Sequence, residues 1–324
     1  MRCNFYKGFS VWEEQQVDDV VICTPHSGPA LDNATSRDDN SDTVASLLWK
    51  RTGGKLVVSN MPRKRLYGVD FNRDIPSPKE AISMFPFYEQ RKYNDKLYKF
   101  ISRYAFVACD TEDYENRLKI YQNFWAEVSS GKYILLVHRS FPRLKSLPSI
   151  MDVVTFRDGG YKKKKIQEVV EEVNSKYYNF LKSVENDYKK MILFEQERVL
   201  NNVLDVYGTL NIKKMNVEIK EFFLKDLNKI EQFAKKEDYS RLMNEFSPQN
   251  FIAACRSALE GAPLPKITIE NSFKGDLAYG VKRKLLPIKD KHILEIEPSR
   301  FLNFWHPDTT AEIIYFILNK IKNI

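Results

Sequence analysis

Val20-Val21-Ile22-Cys23-Thr24, followed at once by Pro25-His26-Ser27-Gly28, is the stretch on which the reading of the fold turns. Five consecutive apolar or β-branched residues that stop at a proline and a glycine read as a strand buried on both faces. The same texture recurs at Lys55–Ser59, Ala105–Ala108, Tyr133–Val137, Asp152–Phe156, Ile267–Ile269 and His292–Glu297. Helical patterns lie between these runs. Asp42–Arg51 carries apolar residues at Val44, Leu47 and Leu48, and Ser77-Pro78-Lys79-Glu80 starts a helix with a serine cap and a proline in the first turn. Further helices are expected near 114–130, 248–260 and 308–322. Strands alternating with helices predict a three-layer α/β/α domain around a mostly parallel or mixed sheet.

From Tyr161 to Glu245 this rhythm stops. No proline occurs between Pro148 and Pro248, and Gly208 is the one glycine from 161 to 247. Apolar residues recur at Ile166, Val170, Val173, Tyr177, Phe180, Val184, Tyr188 and Met191, with steps of three and four as in a coiled-coil seam. A second series runs through Ile219, Phe223, Leu227, Ile230 and Phe233. The reading is an antiparallel helical hairpin over 163–245, inserted into an α/β domain made of 1–162 and 246–324. Between 162 and 245 there are 17 basic and 15 acidic residues, so the charges nearly cancel and read first as a solvated face. A protein partner or a second copy of the chain is the other use such a hairpin has.

Composition sets outer bounds. The chain has 324 residues, 43% of them hydrophobic and 29% charged, which excludes wholesale disorder. A net charge of +8 is mild for this length, and the one basic run, Lys162–Lys165, stands without an aromatic platform, so nucleic acid is not expected as a partner. Four dispersed cysteines without a C-x-x-C pair argue against a disulfide framework and for a reducing interior. The opening residues lack the apolar segment of a secretory leader, and the run Ile313–Leu318 is too short to span a bilayer. A cytoplasmic protein without membrane contact is the expectation.

Two of the four histidines stand where strands end: His26 after Thr24, and His138 after Val137. In an open α/β sheet, ligands gather at the carboxyl ends of the strands, so both imidazoles can reach one crevice. Two histidines and a carboxylate make a three-ligand catalytic zinc site, and Arg37-Asp38-Asp39-Asn40-Ser41-Asp42 supplies carboxylates soon after His26. Taken alone, each histidine reads first as a hydrogen-bonded structural residue, and the acidic cluster as a helix cap.

The segment Arg63-Lys64-Arg65-Leu66-Tyr67-Gly68-Val69-Asp70-Phe71-Asn72-Arg73-Asp74 changes the balance. Together with Pro25-His26-Ser27-Gly28 it resembles the N-formylglutamate amidohydrolase family, of the zinc-carboxypeptidase-like group that also holds the aspartoacylases. His138-Arg139-Ser140-Phe141 resembles the family's H-S-F with one residue added. Asn271-Ser272-Phe273-Lys274-Gly275 and Ile296-Glu297-Pro298-Ser299-Arg300 are similar to its N-x-P-F-K-G and I-E-I-N-R segments. The helical insertion has no counterpart in that pattern. The resemblance implies a zinc-carboxypeptidase-like fold and a zinc ion held by His26, His138 and Asp39, with Asp38 and Asp42 as alternative carboxylates. It implies Glu297 as general base in preference to Glu295, Arg65 or Arg63 on the scissile carbonyl, and Arg73, Asn72 and Arg300 toward the substrate. Asp70 is read as fixing the loop. The implied activity is hydrolysis of a C–N amide bond in a small carboxylate-bearing substrate, an N-acyl or N-formyl amino acid or a short peptide. The competing reading is a non-catalytic binding protein on the same fold that uses its charged insertion for a protein partner or, as the less expected case, nucleic acid.

Overall fold

The computed structural model describes residues 1–14, 19–30, 37–63, 66–90, 95–155, 163–207, 217–273 and 291–323. The strands among the described residues are β1 (Arg2–Tyr6), β2 (Phe9–Glu13), β3 (Val20–Thr24), β4 (Lys55–Ser59), β5 (Tyr133–Val137), β6 (Ser149–Val154), β7 (Lys266–Ile269) and β8 (His292–Pro298). The helices are α1 (Ser41–Thr52), α2 (Pro78–Glu89), α3 (Asp95–Arg103), α4 (Thr111–Val128), α5 (Lys163–Lys176), α6 (Tyr178–Tyr207), α7 (Val217–Phe233), α8 (Lys236–Asn244), α9 (Pro248–Gly261), α10 (Arg300–Trp305) and α11 (Pro307–Lys322). The chain forms two compact units, one of Met1–Ser140, Val153–Val169 and Phe273–Ile324, the other of Phe141–Asp152 and Val170–Ser272. The second unit therefore takes in α9 and β7, beyond the 163–245 segment.

In the first unit the strand order is β1-β2-β4-β3-β5-β8. β1, β2 and β4 pair antiparallel, whereas β4, β3, β5 and β8 run parallel, so the sheet is mixed. The β1–β2 hairpin is absent from the sequence reading because its outer strand is largely exposed and carries no apolar run. Its two-residue turn uses Gly8 at φ 91°, a left-handed conformation that glycine adopts without strain. Side chains alternate across the parallel strands. Val21, Cys23, Val57, Ile134, Leu136 and Ile293 join Tyr121, Phe124 and Trp125 of α4 in one core. The alternate residues Ile22, Leu56, Leu135 and Leu294 are buried as well, and α1 packs on β3, β4 and β5 with α11 against it. Helices thus cover both faces, and each large apolar side chain buried there contributes about 1.5–3 kcal/mol. Lys165, at the start of α5, sits in an exposed pair with Glu168, as a solvated helix start would.

Ala105–Ala108 is fully buried but is not a strand. Its backbone pairs with a loop and a helix instead: Ala105 O accepts from Asp70 N, Ala105 N donates to Asp74 O, and Ala108 N donates to Ala81 O. An apolar run reports burial, and here its hydrogen bonds anchor the 70–74 loop. Ser77 does cap α2, in a reciprocal capping box with Glu80 and with Pro78 in the first turn.

In the second unit the buried stripe of α5 and α6 is Val173, Tyr177, Leu181, Val184, Tyr188 and Ile192. Phe180 and Met191, expected on that stripe, are half-buried, displaced by their neighbours Leu181 and Ile192. α6, α7 and α8 all pack on α9, with Phe223 edge-on to Phe251. Asp226, fully buried on α7, accepts from Arg143 Nη2 at 3.4 Å and from Lys145 N at 2.8 Å. Asp152 accepts from the Thr268 hydroxyl and from the backbone N–H groups of Asn271 and Ser272. Among the described residues of both units, no helix is long and apolar enough to cross a membrane.

Candidate metal and active site

β3, β5 and β8 are adjacent and parallel, so their carboxyl ends open on the same edge of the sheet. His26 follows β3, His138 follows β5, and Glu295 and Glu297 stand two apart near the end of β8. The pairing Leu136 with Glu295 puts both glutamates and His138 on the sheet face that carries Ile134 and Ile293. His138 N donates to Ile296 O, and Asn303 of α10 donates to His138 O, which fixes the histidine at the strand end. The turn at His26 needs its glycine. A Cβ at Gly28 would lie 2.0 Å from the Met61 carbonyl oxygen, so no other residue lets these two backbones pass.

His26 Nδ1 lies 3.3 Å and His138 Nδ1 2.8 Å from the same oxygen, Oδ2 of Asp38. The two rings stand 5.0 Å apart at 63°, and all three side chains are buried. Burial raises the Asp38 pKa, but hydrogen bonds with His138 and His26 outweigh it and hold the carboxyl well below the usual carboxylate range. Burial lowers the pKa of His138 against the pull of Glu295 and Asp38, which favours the neutral imidazole that binds metals. Two imidazole nitrogens and one carboxylate oxygen within 4.8 Å of one another are a donor set that fits a zinc ion. His138, Glu295 and Glu297 form a second group within the same limit, with His138 Nε2 3.8 Å from Glu295 Oε2. The first group fits a cation better, because the outer nitrogen of His26 is backed by a second carboxylate.

That carboxylate is Asp70. Its Oδ1 lies 2.9 Å from His26 Nε2 and accepts from Asn72 N at 3.0 Å, while Oδ2 accepts from Arg63 Nε at 3.1 Å. Asp70 is fully buried, and two residues on, Asn72 Nδ2 lies 3.1 Å from His138 Nε2. Helix α4 holds this loop through one stripe spaced four apart. Arg117 donates to the carbonyls of Leu66 and Gly68, Tyr121 OH to Arg73 O, and Trp125 Nε1 to Phe71 O. Phe71 stacks on Phe124 at 3.8 Å.

The acidic segment resolves differently from the sequence expectation. Asp38, the alternative, faces the histidines, tied back by its N–H to His26 O at 2.9 Å. Asp39, the preferred residue, lies 3.9 Å from Arg139 Nη2 and 3.8 Å from Arg300 Nε. Asp42 lies in α1 and pairs with Arg37 at 3.5 Å. Asn40 takes a left-handed conformation, φ 58°, as the chain turns into α1. Nothing in a six-residue segment with three aspartates announces which of them points inward.

Arg63 is paired with Asp70; burial lowers its pKa, and attraction by Asp70, Asp38 and Glu297 more than restores it. Arg65 lies outside the described residues, as do Lys274 and Gly275 of the later glycine-containing motif. Arg73 donates from Nη1 to Asn72 O, and its Nε is buried with no hydrogen-bond partner among the described residues. Asn271 is structural, donating to Ser146 O. Sequence reasoning missed Arg139, whose buried guanidinium donates to Arg37 O; its one signal is that it is the extra residue between His138 and Ser140.

Comparison with known proteins adds an outline only. No protein-family model matches the chain, and no curated protein matches it. Among solved structures it is similar to a gene product of Agrobacterium tumefaciens, with 11% identity and a TM-score of 0.46, over 98% of this chain and 95% of that one. It is also similar to N-formylglutamate amidohydrolase from Ralstonia eutropha JMP134, with 12% identity and a TM-score of 0.42, over 98% and 96% of the two chains.

Proposed function

We propose that the protein is a zinc-dependent amidohydrolase of zinc-carboxypeptidase-like fold that cleaves the C–N bond of a small carboxylate-bearing substrate, an N-acyl amino acid or a short peptide. The observation that carries this reading is the convergence of His26 Nδ1 and His138 Nδ1 on one oxygen of Asp38, beside Glu295 and Glu297. The ordered resemblance of the surrounding motifs to N-formylglutamate amidohydrolases supports it. His26, Asp38 and His138 would hold the ion. When bound, zinc supplies Lewis acidity, which lowers the pKa of water toward neutrality and polarises a carbonyl.

The chain's own groups do the rest. Arg73 offers a buried guanidinium Nε without a partner among the described residues, and a substrate carboxylate supplies the acceptor it lacks. Arg63 is occupied by Asp70, so the carbonyl-facing arginine is assigned to Arg65. Glu297 takes a proton from the attacking water and passes it to the leaving nitrogen as the C–N bond breaks, giving a carboxylic acid and an amine. Asp70 keeps His26 turned with Nδ1 inward, and α4 keeps the loop that aims Arg73. The test is turnover of a panel of N-formyl and N-acyl amino acids by zinc-loaded protein. Hydrolysis that is abolished in Glu297→Gln, with metal retained, is the expected result; no turnover of any member would count against the reading.

A further inference from the structure

Asp70 and Asn72 stand two residues apart on one loop, and each meets the outer nitrogen of a different histidine. For Asp70 the chemistry is settled by its charge: a carboxylate accepts, so in the neutral ring His26 Nε2 carries the hydrogen and the Nδ1 lone pair is free for a cation. Asn72 is different, since its amide can present either end. With Nδ2 toward His138 Nε2, the amide donates, Nε2 accepts, and the ring hydrogen sits on Nδ1 facing Asp38. In that arrangement Asn72 Oδ1 is buried without a hydrogen-bond partner among the described residues. A half-turn of the amide places Oδ1 on Nε2 instead. His138 then donates from Nε2, and its Nδ1 lone pair joins that of His26 at Asp38 Oδ2.

We propose that Asn72 is the positioning residue of His138, setting by the orientation of its amide whether Nδ1 is a donor to Asp38 or a ligand for a cation. This rests on the metal site proposed above and gives Asn72 a task other than substrate binding. Asp70 and Asn72 together form one clamp on both histidines, and of these three loop neighbours Arg73 is left for the substrate carboxylate. A further point fits this division. Asn72 N donates to Asp70 Oδ1, so the backbone of one prong is registered by the side chain of the other. Asn72 is 7% exposed, so water competes poorly for either end of its amide.

The experiment is zinc competition against a chromophoric chelator with metal-stripped full-length protein. Outer partners of metal-bound histidines typically govern about 10–100-fold in affinity. Asn72→Ala, and the near-isosteric Asn72→Leu in case the smaller side chain destabilises the fold, should each bind zinc about 10–100-fold more weakly. Asn72→Asp, which keeps an acceptor for Nε2–H, should stay near the wild-type value. If the wild type binds zinc and Asn72→Leu matches it within about threefold, the proposal is wrong and the metal site stands. If the wild type binds no zinc, both fall together. A readout on the unmodified chain needs no variant: ¹⁵N shifts of zinc-loaded protein should show His138 protonated at Nε2. Zinc bound to Nε2 would overturn the assignment.

Discussion

Asp70→Asn removes one charge and almost no volume from the most connected side chain of the site. Asp70 receives Arg63 Nε at 3.1 Å and Asn72 N at 3.0 Å, and meets His26 Nε2 at 2.9 Å, with no exposure of its own. An asparagine can keep its oxygen toward His26 and Asn72, but its amide nitrogen then faces the Arg63 donor. Breaking a fully buried pair costs about 3–5 kcal/mol. The Arg63 side chain remains 24% exposed, so water softens the loss to about 2–3 kcal/mol. All four tryptophans, Trp12, Trp49, Trp125 and Trp305, lie in the first compact unit, so urea denaturation followed by their fluorescence reports that unit. The double variant with Arg63→Met should show a coupling of about 1–3 kcal/mol. Zinc affinity should fall about 10–100-fold as His26 loses its carboxylate. A stability loss under about 0.5 kcal/mol with no coupling would refute the reasoning, because independent sites add within that margin.

Glu297→Gln should keep zinc and lower kcat by about 10²-fold or more, and Glu295→Gln should do less; the reverse order in a turnover assay moves the base to Glu295. Arg73→Ala should cost a carboxylate substrate about 2–5 kcal/mol in kcat/KM and its neutral amide analogue little, and equal losses would remove Arg73 as the anchor. Tyr121→Phe, which loses the bond to Arg73 O, should cost about 0.5–1.5 kcal/mol of stability and raise KM more than it lowers kcat. Burial, and after it Arg143 and Lys225, push the pKa of Lys145 down to about 8 from 10.5. Between those values the unfolded chain holds a proton that the native chain does not, so stability should rise with pH through that window, and below pH 8 this residue should add no slope. Far-UV dichroism of urea unfolding at several pH values, wild type against Lys145→Met, checks this; identical pH slopes would contradict it.

Much of this arrangement was legible in the sequence, for reasons that particular residues show. β3 and β5 announce themselves because both faces are buried, so the apolar run is unbroken, and β8 shows the same texture interrupted only by Glu295 and Glu297. His26 and His138 are visible because turn residues and strand ends fix where they stand. Ala105–Ala108 misleads by the same logic, since burial without strand partners writes the same run of residues. β1 is lost because an edge strand facing water carries no pattern. Asp38 could not be told from Asp39, because the choice depends on one left-handed residue, Asn40, and on a hydrogen bond back to His26. The roles of Asp70 and Asn72 toward the two histidines are tertiary facts. A spacing of two on a loop says nothing about which atoms lie opposite.

The most direct test of the account is metal content. Elemental analysis of purified wild-type protein should find about one zinc per chain, the stoichiometry of a single two-histidine, one-carboxylate site. His26→Ala, His138→Ala and Asp38→Asn should each lose it, and Asp39→Asn should keep it. Zinc retained in the Asp38 variant but lost in the Asp39 variant, or undiminished in both histidine variants, would contradict the site described here.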